Sequence, residues 1–264
     1  MMMEVVLRQL ETIDELTTVR TLEDEIWKND AIPTHQTSTA IKHGGIMVGA
    51  FVDEQLVGFS YGWPGFKAGQ VYFCSHNMGI DENFRSLGIG EKLKRKQREI
   101  AKESGYEFIS WAFDPLETRN AYLNLTKLGA YCHTYIENCY GEIKDGLNSG
   151  LPTDRFQVKW EVGELPIEKL TLPKRFSDII PWEMTGDQFP KITTIDHLTL
   201  DPFVQIPVPS MLQEMKQKDM ELALDWRLKT REIFQYYFQH GYTAIRLVKS
   251  DSPLIYYYQL VKLP

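Results

Sequence analysis

The sequence predicts an α/β chain: a mixed central sheet flanked by helices, followed by a smaller C-terminal α+β unit. Three observations carry this reading. Residues 4–162 alternate between short apolar runs of strand character and longer stretches of helical period. The alternation then breaks, with Pro166, Pro173, Pro181 and Pro190 punctuating residues 164–190. The 264 residues are 43% hydrophobic and 25% charged, close to the globular average and away from disordered or fibrous compositions. The expected division is therefore 1–163 and 164–264.

The elements follow in order. Val5-Val6-Leu7 is a short apolar run. Residues 11–27 repeat Leu16, Val19, Leu22 and Ile26 at helical spacing. Residues 46–52 and 56–63 read as two strands joined by a turn at Asp53-Glu54-Gln55, and residues 71–80 as a third. A helix is expected over 88–104, ended by Gly105, because glycine accepts the left-handed conformation that closes helices. Residues 106–113 form a strand stopped by Asp114-Pro115, residues 117–128 a helix stopped by Gly129, and residues 131–140 and 155–162 the closing strands. After the proline-rich stretch, residues 211–239 read as one long helix or as two broken near Lys218-Asp219. Residues 242–248 and 254–261 form a final strand pair.

Charge and cysteine content exclude several classes. Lys and Arg number 29 against 36 acidic residues, a net charge of −7, which opposes a general nucleic-acid binder. No apolar run approaches the roughly 20 residues of a membrane span, and Met1–Arg8 lacks a signal-peptide core. Three cysteines, Cys74, Cys132 and Cys139, without CxxC spacing, argue against a disulfide framework or a zinc cluster. A reduced, cytoplasmic protein is expected, with no nucleic-acid or membrane partner.

The informative segment runs from Met78 to Gly90, Met-Gly-Ile-Asp-Glu-Asn-Phe-Arg-Ser-Leu-Gly-Ile-Gly. A strand ends, a short loop follows, and a helix begins at the glycines. Such a start offers unpaired N–H groups and the positive end of the helix dipole, and glycine lets a phosphate approach the backbone closely. The expected ligand is an anion, in particular a diphosphate. The helix continues through Lys92, Lys94, Arg95, Lys96 and Arg98, either a basic field or a solvated face. A dinucleotide fingerprint would need glycine where Leu93 stands, and a Walker loop would need G-K-[ST]. What remains is R-x-x-G-x-G.

Arg85-Ser86-Leu87-Gly88-Ile89-Gly90 resembles the acetyl-CoA pyrophosphate loop of the GNAT superfamily of N-acetyltransferases. Ile80 before it, Asn120-Ala121 to Leu128-Gly129 after it, and the order of elements over residues 4–162 extend the resemblance. Asp114-Pro115-Leu116, Tyr140-Gly141 and Asp154-Arg155 further resemble a branch of predicted acetyltransferases that carry a C-terminal extension.

The resemblance implies acetyl-CoA as co-substrate. The strand end and loop (Ile80, Arg85, Ser86, Leu87, Gly88, Ile89, Gly90) would hold the coenzyme. Its pantetheine arm would lie in a splay between the strands 71–80 and 106–113, with Asn120 and Asn124, four apart on one helix, binding its amides or the acceptor. The backbone N–H near Met78 would polarise the thioester carbonyl. The implied acceptor is a small molecule, usually an amine, that attacks directly. A scaffold that binds CoA or acyl-CoA for regulation without catalysis is the alternative.

Two positions matter for proton transfer. Many family members place a glutamate where this chain has Cys74; His76, two residues on and on the same strand face, is the candidate base, or a packed strand histidine. The position that often supplies a tyrosine to the departing thiolate is Leu125 here; Tyr122, one turn earlier, either substitutes or simply packs, and solvent is the other proton source. Asp114 either pairs with an acceptor ammonium or caps the next helix. Arg155 either binds an acidic acceptor or pairs near Asp154. The aromatic C-terminal unit is expected to cover the acceptor side, to form a second core, or to make a homodimer contact.

Overall fold

A computed structural model describes residues 4–27, 31–141, 149–196 and 198–262. Two compact units emerge: residues 1–111 with 160–164, and residues 112–159 with 165–264.

The first unit is a three-layer α/β arrangement. It contains β1 (Val6–Gln9), α1 (Ile13–Trp27), α2 (Thr34–Lys42), β2 (Ile46–Val52), β3 (Gln55–Lys67), β4 (Gln70–Ile80), α3 (Ile89–Glu103) and most of β5 (Phe108–Phe113). β1 to β4 are antiparallel neighbours and β4 pairs parallel with β5. Asp53 and Glu54 (φ 46° and 66°) turn β2 into β3, and Ala68 and Gly69 (φ 51° and 81°) turn β3 into β4. Two central residues at positive φ match the twist of antiparallel strands.

Leu16, Val19 and Leu22 of α1 pack against Met47, Leu56, Phe59 and Tyr61, with Ala40 and Ile41 of α2 beside them. α3 covers the opposite face: a Cβ on Gly58 would lie 3.4 Å from Leu93 Cδ1. Each fully buried aliphatic or aromatic side chain contributes about 1.5–3 kcal/mol through removal from water. α2 has too few apolar positions for a periodic signal and lay outside the expected elements. β3 also runs past its expected end at Trp63, through Pro64, to Lys67. Its ladder with β2 stops at Ile46↔Gly62, so beyond that point β3 has an open edge where proline costs no sheet bond.

The second unit contains α4 (Thr118–Ala121), which runs on as a π-helical turn over Tyr122–Lys127, then β6 (Tyr131–Ile136) and most of β7 (Arg155–Glu161). Short strands β8 (Ser177–Asp178), β9 (Trp182–Met184) and β10 (Pro190–Ile192) fall in and just after the proline-punctuated stretch, and β11 (Phe203–Pro209) follows. The expected long helix divides into α5 (Leu212–Lys218) and α6 (Met220–Gln239), with Asp219 capping α6 through the Leu222 N–H. β12 (Tyr242–Lys249) and β13 (Ile255–Lys262) close the chain. Phe156, Phe234, Tyr135 and Tyr258 pack edge-on and stacked in its core.

The compact units and the expected boundary at 163/164 differ. Residues 112–159 cluster with the C-terminal residues because Cys132 of β6 pairs with Ala244 of β12, and Thr126 exchanges hydrogen bonds with the backbone of Leu247.

Candidate active site

The first unit assembles three features around β4. The first is the loop after the strand. Asp81 Oδ1 accepts from the Asn83 N–H at 2.9 Å, opening a tight turn, and Ser86 takes φ 70°. Gly88 (φ 75°) is the N-cap of α3 and makes no side-chain cap. A Cβ there would meet nothing within 4 Å, so the space in front of the helix is open. The first helical bond runs from the Lys92 N–H to the Gly88 carbonyl, after Ile89 and Gly90, both buried. Arg85 is exposed and its Nε donates to the Ile80 carbonyl at 3.3 Å, folding the loop back on the strand end. Leu87 is exposed and Ile80 half-buried. This open glycine start fits an anionic diphosphate by geometry and dipole alike.

The basic run after it does not form a field. Arg95 pairs with Glu91, Lys96 with Glu99, and Arg98 donates to the carbonyls of Glu161 and Gly163. Lys94 is buried. The helix period brings it under the sheet with Gly90, Gln97 and Ala101.

The second feature is a bulge. Tyr61 pairs with Asn77 and Gly62 with Ser75, so His76 is the extra residue of β4. A Cβ on Gly62 would sit 2.3 Å from the Cys74 carbonyl oxygen, which restricts this register to glycine. His76 is exposed. Its ring lies 4.5 Å from Trp63 and 6.4 Å from Tyr61, and Trp63 is also the cross-strand partner of Cys74. His76 and Cys74 thus share the face toward α1 and α2. The neighbouring rings exclude water from one side and hold the imidazole pKa below its ordinary value. Burial raises the Cys74 thiol pKa, which keeps it protonated and suits a packed cysteine. Met78 lies two residues beyond the bulge, opposite Ser60.

Beside the bulge stands Glu23 of α1. It is buried, accepts from Asn77 Nδ2 and from the Ile32 N–H, each at 3.2 Å, and burial raises its pKa. The sequence reading missed it, although Glu23 falls four residues after Val19 on the apolar stripe of α1.

The third feature is the β4–β5 ladder. It comprises only Phe73↔Ile109 and Cys74↔Ser110, after which the strands continue without pairing. This end of the ladder is where the splay is expected. Ser75 and Trp111, each one residue past the last pair, flank its closed end.

The other named positions lie in the second unit. Asn120 is exposed, Tyr122 half-buried and Asn124 buried. The two asparagines therefore differ in their access to solvent, on a stretch that passes into a π turn at Tyr122. Leu125 is buried. Asp114 accepts from the Leu116 N–H at 2.8 Å and pairs with Arg227, so its charge is already compensated. Arg155 donates to the Asp154 carbonyl at 2.9 Å and lies 3.6 Å from Asp114.

A glycine-started helix after a bulged strand, whose ladder with its parallel neighbour is short, defines the class of this α/β domain. The family model described as the acetyltransferase (GNAT) family matches residues 9–129. The chain is similar to a GNAT-family acetyltransferase from Streptococcus pneumoniae, with 14% identity, TM-score 0.49, and coverage of 61% of this chain and 100% of that one. It is also similar to an IAA acetyltransferase from Bacillus cereus, with 16% identity, TM-score 0.46, and coverage of 60% and 99%. No curated protein matches the sequence. Among the described residues, no helix is long and apolar enough to cross a membrane, and no cluster of His, Cys, Asp or Glu could hold a metal.

Proposed function

We propose that this protein transfers an acetyl or other acyl group from acyl-CoA to a small-molecule amine. The uncapped start of α3 at Gly88, directly after a strand parted from its parallel neighbour, carries the reading. The N–H groups around Leu87–Gly90 would hold the coenzyme's diphosphate, with Ile80, Arg85 and Ser86 shaping the loop. Bound there, acetyl-CoA supplies an activated thioester. The backbone N–H near Met78 would donate to the thioester carbonyl oxygen. His76, neutral at physiological pH because its pKa is lowered, would take the acceptor's proton through Nδ1 or Nε2. Asn120, Asn124 and Tyr122 belong to the second unit and take no part in this reading. The unpaired thiols of Cys74, Cys132 and Cys139 suit the reducing cytoplasm.

A non-catalytic CoA-binding module is the second reading, favoured by the protonated Cys74 and the buried Leu125 at the positions where the family resemblance implies acid–base groups. The test is calorimetric titration with CoA, followed by thiol release from acetyl-CoA over a panel of primary amines. Gly90→Glu, which adds bulk and negative charge at the loop, is expected to abolish CoA binding. Unchanged affinity in that variant would refute the loop assignment. Binding without thiol release for any amine would favour the second reading.

A further inference from the structure

Lys94 is the least expected residue in the first unit. It is 4% exposed, and no carboxylate among the described residues pairs with it. Its Nζ donates to Ser75 Oγ at 2.7 Å and lies 4.0 Å from the centre of the Trp111 ring. Ser75 belongs to β4 and Trp111 to β5, each one residue past the last paired rung, Cys74↔Ser110. The ammonium therefore bridges the two strands at the closed end of the splay. Ser75 Oγ passes the chain on to Gln97 Oε1 at 2.7 Å, and Gln97 Nε2 is fully buried with no partner. A buried cation and an orphaned donor where the ladder between two strands ends call for an acceptor atom that the described residues do not supply.

We propose that Lys94 is the acid that protonates the departing thiolate of coenzyme A. The assignment rests on the acyl-CoA reading above, because the splay is where that reading puts the pantetheine arm. As the acceptor nitrogen bonds to the carbonyl carbon, the C–S bond breaks and its electron pair stays on sulfur. The Lys94 ammonium gives that sulfur a proton, leaving a neutral amine and free CoA thiol. The acceptor's surplus proton leaves through the base to water, and Lys94 is recharged from water. The groups facing Nζ are Ser75 on β4 and Trp111 on β5, with Gln97 of α3 bonded to Ser75 behind them. Burial lowers the lysine pKa to about 7, within reach of the thiol range near 8.5.

The test needs no acceptor. CoA labelled with ¹³C on the carbon bearing sulfur is bound to the full chain, and the thiol is titrated by its carbon shift. The thiolate and the ammonium hold each other charged and titrate as a coupled pair, so the thiol bound to wild type should titrate below free CoA. Lys94→Met should abolish that displacement, and Ser75→Ala, which removes the lysine's hydrogen-bond partner, should reduce it. A bound thiol that titrates as in free CoA, or identically in wild type and both variants, overturns the proposal while leaving the binding assignment intact. Failure of wild type to bind CoA at all would instead overturn the acyl-CoA reading itself.

Discussion

Asn77 Nδ2 donates to Glu23 Oε1 at 3.2 Å, so the last turns of α1 are tied to β4 immediately beyond its bulge. The other carboxylate oxygen of Glu23 accepts from the Ile32 N–H, just before α2. One buried carboxylate thereby links two helices and the strand that carries His76.

Glu23→Leu should break both of these bonds. A leucine offers no acceptor, so the Asn77 amide and the Ile32 N–H each lose this partner. A loss on the order of 1–3 kcal/mol is expected, as for any buried donor left unmade. Denaturant unfolding of the variant against wild type measures it, and a change within error would show that the tie carries nothing.

The His76 pKa lies below the ordinary 6.5, because partial burial penalises the charged ring. The neutral form is the base, and its fraction grows as pH rises through that pKa. Activity on an amine acceptor should therefore climb on the acid side and level off before neutrality. His76→Gln should lower kcat at pH 7 by roughly 10²–10⁴-fold, the usual weight of general base catalysis. It should also remove the acid limb. A pH–rate profile unaltered by the substitution would exclude His76 as the base.

Lys94 carries a stability cost of its own. Its folded pKa, about 7, lies below the ordinary 10.5, so between those values the unfolded chain binds more protons than the folded one. The sign is that stability rises from pH 7 towards pH 10 and does not vary through this group below pH 7. Lys94→Met removes an uncompensated buried ammonium and should raise the unfolding midpoint at pH 7 while flattening this dependence. Equal slopes for wild type and variant between pH 7 and 10 would contradict the burial argument.

In the second unit, Arg227 is wholly buried and pairs with Asp114, whose side chain is 13% exposed. Arg227→Met leaves that carboxylate with only the more distant Arg155, at 3.6 Å. Removing one partner of a buried pair costs about 3–5 kcal/mol. Thermal unfolding should show a large drop, and the double variant Arg227→Met, Asp114→Asn should recover part of it.

Periodicity and glycine placement made most of the fold legible before any coordinates. The stripe Leu16, Val19, Leu22, Ile26 announced α1. Gly88 and Gly105 bracketed α3, and Asp219 marked the break between α5 and α6. These features are local, because each depends on residues within one turn of one another. For the same reason the R-x-x-G-x-G loop could be read as an anion cradle: a helix start needs no partner to present its N–H groups.

Tertiary structure alone decided the rest. The charge on Lys94 looked like part of a basic face until the sheet beneath α3 made it a buried group between two strands. Glu23 acquired its role only when Asn77 arrived from 54 residues away. The bulge at His76 depends on Gly62 passing against Cys74 on the neighbouring strand. The grouping of residues 112–159 with the C-terminal residues depends on β6 finding β12. Desolvation and cross-strand register are properties of what surrounds a residue, and a linear chain records only its neighbours in sequence.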